Sequence, residues 1–146
     1  MTKGVLTVKK KAIIIALILV LCVGIIGAYT ALDSIFPKAD PVICPELNEI
    51  ESVLIAQNKG EYVAVSAEEI AELLQRISLS EPTRKMSVND YPTAKTYYKL
   101  EISADRMYCY FIYQESGQVY VELPYEGVYK SDNSIIDYIE EIYLSI

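Results

Sequence analysis

No histidine and no tryptophan occur among the 146 residues. The missing histidine removes the Ser/His and Cys/His nucleophile pairs, the usual catalytic zinc sites and the ordinary neutral-pH proton shuttle. No serine is followed three residues later by lysine, and neither a Walker loop nor a GxGxxG turn occurs, so penicillin-recognising and nucleotide chemistry lack their groups. Acidic residues are absent from the first 32 positions, which hold four of the 13 basic ones; all 20 carboxylates follow. The rest of the chain sets nine cations against 20 anions, a charge of −11. Nucleic acid needs cations that displace counterions from phosphate, so none is expected as a partner. Anionic headgroups would be repelled, and a cationic partner would be favoured.

What is present first is an uncharged run. Residues 12–32, AIIIALILVLCVGIIGAYTAL, number 21, and at about 1.5 Å per residue they cover the roughly 30 Å hydrocarbon core of a bilayer. Lys9, Lys10 and Lys11 precede the run, with Lys3 further out. Positive charge on the short side holds it in the cytoplasm. The reading is a basic cytoplasmic segment at 1–11, a transmembrane signal-anchor at 12–32 that meets lipid, and an extracytoplasmic remainder. A cleaved signal peptide is the alternative, with Ile26-Gly27-Ala28 as its site, but its apolar core is ordinarily about 7–15 residues. A lipoprotein needs a small residue before its cysteine, where Leu21 precedes Cys22. A pilin-type leader needs Glu where Lys9 stands.

Residues 33–45, DSIFPKADPVICP, carry three prolines in 13 positions and read as an extended neck of up to about 40 Å. Residues 46–146 read as one domain. Strand-forming stretches at 49–56 and 61–65 flank Gln57-Asn58-Lys59-Gly60, a hairpin turn. Ser66 with Glu69 makes a capping box for a helix over 67–78, whose Ile70, Leu73, Leu74 and Ile77 form one apolar stripe. Residues 95–103 alternate, with Tyr98, Leu100 and Ile102 inward and Tyr97, Lys99 and Glu101 on a wet face. RMYCYFIYQ at 106–114 is apolar on both faces and should be the middle strand. Strands at 118–123 and 128–130 complete a meander. Ser134 and Asp137 start a last helix with Ile135, Ile139, Ile142 and Ile146 on one face. Two helices and five or six mostly antiparallel strands make an α+β two-layer domain.

Cys44 and Cys109 lie outside the apolar run, where a disulfide is permitted; the alternative is a buried Cys109 beside a free Cys44. Tyrosine is the abundant aromatic, 13 against two phenylalanines. Most of these rings suit sheet packing with a wet tip. Rings in irregular segments are not needed for alternation, which singles out Asn89, Asp90 and Tyr91 in SVNDYP, and Tyr125, Glu126 and Tyr129 in ELPYEGVY. If the two loops meet, they form an aromatic, acidic lip suited to a peptide, a sugar or a cationic surface. Glu68, Glu69, Glu72, Glu140 and Glu141 read as solvated helix faces, and no metal or cofactor is expected.

The combination of SVNDYP, a tyrosine-rich strand, VELPYEGVYKSD and a terminal amphipathic helix resembles a family of uncharacterised, membrane-anchored or secreted domains from Gram-positive Firmicutes, over about residues 45–146. The resemblance implies an extracytoplasmic α+β domain and no activity, so no functional residue carries over. The expected function is a non-catalytic binding module for an envelope protein or extracellular ligand. One alternative is an accessory subunit acting through its membrane helix, where Gly24 and Gly27 permit close approach. Others are a cleaved, secreted domain and a carboxylate enzyme acting on glycans.

Overall fold

A computed structural model describes residues 3–145, with side chains from Lys10 on. The chain divides into two compact units, Met1–Pro37 and Lys38–Ile146. The first is essentially one helix, α1 (Lys3–Ile35). Its stretch Lys10–Ile35, 26 residues, is long and apolar enough to cross a membrane, rising roughly 39 Å at 1.5 Å per residue. Every side chain along it is exposed. The helix therefore runs three residues beyond the expected end of the span, through Asp33, Ser34 and Ile35.

The second unit is built on a seven-stranded antiparallel sheet. Its strands are β1 (Ser52–Gln57), β2 (Tyr62–Ala64), β3 (Glu81–Pro82), β4 (Tyr98–Ser103), β5 (Met107–Glu115), β6 (Gln118–Leu123) and β7 (Gly127–Ser131). Their spatial order is β2-β1-β4-β5-β6-β7-β3, so β5 is the middle strand, as its two apolar faces predict. The two-residue β3 was not legible as a strand; it sits at an edge, where proline's missing N–H does no harm. The β1–β2 hairpin turns at Asn58, which takes a φ of 52°, a left-handed conformation that asparagine tolerates better than most residues.

Helices α2 (Ala67–Ser78) and α3 (Ser134–Leu144) cover one face of this sheet. The capping box of α2 is present, with Glu69 accepting from the Ser66 amide at 3.1 Å. Its Leu73, Leu74 and Ile77 are buried with Ile135, Ile139 and Ile142 of α3 against Val53, Ile55, Leu100, Ile102, Ile112, Val119 and Val121. The start of α3 departs from expectation. Asn133 is the cap position and the Ser134 amide donates to Asp132 Oδ1 at 2.8 Å, so no Ser134/Asp137 box forms. Ile146, expected on the apolar stripe, lies outside the described residues.

One connecting stretch does more than connect. Residues 38–45, the second part of the expected neck, lie extended along the helix side of the domain. Ala39 donates its amide to Thr83 O at 3.0 Å, Tyr110 donates its hydroxyl to Ile43 O at 2.7 Å, and Pro45 is buried. A Cβ on Gly127 would fall 2.5 Å from that of Ala39, so the close approach of this segment requires glycine there. Cys44 packs against the helix-side core and Cys109 against the opposite face, so the sheet stands between them. Both thiols are free. Burial raises the pKa of each, which keeps them protonated and poorly nucleophilic near neutrality.

Because Leu100 is fully buried in the helix-side core, Leu100→Ala should cost about 2–5 kcal/mol, and Ser66→Ala, which removes half of the capping box, about 1 kcal/mol. Urea unfolding of the full chain in detergent micelles, followed by tyrosine fluorescence, should rank the two in that order.

Candidate functional site

The second face of the sheet has no helix. In its place runs the irregular segment 83–97, which leaves the β3 edge and returns to β4, crossing the outer side of β7, β6 and β5. Ordered irregular segments of this length inside compact domains are usually functional. The register places Ala56, Lys99, Phe111, Glu122 and Val128 in one row across that outer face. Part of the row is dry. Tyr97, Phe111 and Tyr113 are buried there, with the Tyr97 and Phe111 rings edge-on at 5.4 Å and Tyr91 lying over Phe111 at 5.6 Å. The face expected to be wet along β4 is thus closed at Tyr97.

Polar hooks hold the segment down. Glu122, only 7% exposed, accepts from Ser87 Oγ at 2.7 Å and from Tyr113 Oη at 2.9 Å, one donor on each carboxylate oxygen. Tyr125 Oη donates to Asp90 Oδ1 at 2.6 Å, and at the far end Asn58 exchanges two hydrogen bonds with Tyr97. Tyr125 stands at φ 64°, a conformation a bulky side chain holds only when its surroundings fix it. Lys85 pairs with Glu115 at 2.8 Å and lies 4.3 Å from the Tyr120 ring centre.

Between the segment and the sheet lies a cleft of about 290 Å3, lined by Lys85, Met86, Val88, Asn89, Thr93, Tyr113, Glu115, Glu122 and Val128. Met86 and Val88 are exposed, 81% and 61%, so the rim is apolar while the floor carries a carboxylate. Burial first, and then the Glu122 charge, hold the Tyr113 phenol well above its ordinary pKa, so it stays a donor. The Glu115 carboxylate likewise holds the Lys85 ammonium above its usual range. The arrangement can bind through hydrogen bonds, a buried negative charge and apolar contact.

The six residues expected at a lip fall into five places. Asn89 lines the cleft. Asp90 and Tyr125 join the two loops directly, and Tyr91 packs on the outer aromatic cluster. Glu126 is exposed in the β6–β7 turn. Tyr129 is buried on the helix side, because β7 begins at Gly127 and strand alternation turns this ring inward. Ser87, Tyr113 and Glu122 were missed. Glu122 alternates with Val121 and Leu123 like any solvated strand residue; the signal available was the long element-free stretch before residue 98, which must lie on something.

The DUF5301 family, described as "Domain of unknown function (DUF5300)", matches residues 38–130. Its first matched residue is the one at which the compact domain begins. A solved structure described as "NMR structure of the protein from Ruminococcus gnavus" is similar at 30% identity and a TM-score of 0.58, over 66% of this chain and 97% of that one. No curated protein matches the chain.

Burial raises the phenol pKa of Tyr110 and Tyr113 above the ordinary 10.0. Between the unfolded and folded values the native state holds protons that the unfolded state has released. Stability should therefore be full below pH 10 and fall as pH rises beyond it. Urea midpoints at increasing alkalinity, with tyrosinate absorbance read in parallel, test this. Tyr113→Phe should lessen the slope and cost about 2 kcal/mol near neutrality, the worth of a hydrogen bond to a buried carboxylate.

Proposed function

The chain belongs to the DUF5301 family, and from that premise we propose that it is a single-pass membrane-anchored, extracytoplasmic binding module without catalytic activity. Residues 1–11 remain in the cytoplasm, α1 holds the protein in the bilayer, and the domain from Lys38 on meets an envelope protein or an extracellular ligand. The observation that carries this reading is the segment 83–97, pinned across the outer sheet face by side-chain hooks while its Met86 and Val88 stay exposed. Exposed apolar side chains held on an ordered loop suit recognition of a partner. The lysines at positions 3, 9, 10 and 11, on the N-terminal side of the apolar run 12–32, and the absence of carboxylates there support the orientation. The absence of histidine supports a binding role over hydrolysis. Tyr113, Ser87 and Glu122 are engaged with one another, which suits a structural pin better than a nucleophile with its base.

The test is the full chain expressed in bacterial cells. Protease added outside intact cells should degrade the domain, and the mass of the membrane-bound protein should retain residues 1–32. A domain protected until lysis would contradict the orientation. A mature N-terminus after Ala28, with the protein in the medium, would replace the anchor with a cleaved leader.

A further inference from the structure

We propose that the cleft under segment 83–97 receives an arginine side chain presented by the partner protein. The proposal rests on the reading of this domain as a binding module and names what that module recognises. Three ionised groups line the cleft. Lys85 pairs with Glu115 at 2.8 Å and feels Glu122 only at longer range, so one cation faces two carboxylates and the cleft keeps a net negative charge, with Glu122 on its floor. Its two hydrogen-bond donors, Ser87 and Tyr113, are neutral hydroxyls, so they orient the carboxylate without cancelling it. Each carboxylate oxygen accepts one of these bonds and keeps a further acceptor site. Two free sites on one planar carboxylate match the two parallel donors of a guanidinium fork.

The walls suit the rest of the same side chain. Met86 and Val88 supply apolar surface at the rim and Val128 lies beside Glu122 on the floor, as a methylene stem with a cationic head requires. Thioether side chains adapt readily to such a stem. The region from Asp33 on carries −11, which draws a cationic partner surface toward the domain and rejects an anionic one. Asn89 at the rim remains available to the guanidinium's outer N–H groups or to the partner's backbone.

Methionine methyl signals make the test direct, because Met86 lines this cleft and Met107 does not. The full chain, labelled with carbon-13 at its methionine methyls and held in detergent micelles, is titrated with N-acetyl-arginine methylamide. The same titration is run with the neutral citrulline and norleucine analogues. The expected result is a saturable shift at Met86, none at Met107, and at least roughly tenfold weaker response to either neutral analogue. Glu122→Gln should abolish the arginine response while leaving the Met107 signal in its folded position. Should Glu122→Gln disturb folding, Val88→Arg, a change at an exposed position, places a competing cation on the cleft wall and should abolish the response as well. Equal shifts from arginine and citrulline, or no shift at Met86 up to saturating arginine, overturn the proposal. A partner still captured through segment 83–97 in that case would leave the binding-module reading standing, whereas loss of both would remove the two together.

Discussion

A central strand with two apolar faces must be covered twice, and the rest of the domain follows from how β5 solves that. Its inward residues Tyr110 and Ile112 meet the helices α2 and α3; its outward residues Phe111 and Tyr113 meet an irregular segment instead. Helices supply a continuous apolar stripe, so the first cover is dry and rigid. An irregular segment has backbone groups to satisfy and few side chains per unit area. The second cover is therefore tacked down by polar side chains, and the cleft beneath it is the consequence.

That asymmetry explains why a charged residue is buried on one face alone. Glu122 sits where a helix would have demanded an apolar side chain. Under the irregular segment it serves as the anchor for Ser87, and Tyr113 closes the arrangement from the neighbouring strand. Removing such a carboxylate's partners would leave a charge in a poorly solvated place, which is costly. The same side chain thus fixes the segment and gives the cleft its sign. The −11 charge of the chain from Asp33 on reinforces that sign.

Much of the helix side was legible in the sequence because it depends on periodicity. Ile70, Leu73, Leu74 and Ile77 announce α2, Ser66 and Glu69 announce its start, and RMYCYFIYQ announces a strand covered on both sides. The outer side was not, because an irregular cover has no period. Tyr97 alternates with Lys99 and Glu101 and so looks wet, yet its ring is buried against Phe111. Tyrosine carries both possibilities in one side chain, and only the neighbour decides. Tyr129 falls within the strand expected at 128–130, and it is this strand, not the Pro124–Gly127 turn beside it, that places the ring, in the helix-side core. Cys44 and Cys109 look pairable by count, but they pack on opposite faces of the sheet and both thiols are free.

Under the proposed function, the partner meets the face covered by segment 83–97. A photoreactive amino acid placed at Val88, and separately at the exposed Glu68 of α2, in the full chain in its native membrane tests it most directly. Illumination should crosslink one envelope protein reproducibly from position 88 and not from position 68. Equal capture from both positions, or capture from position 68 alone, would contradict it.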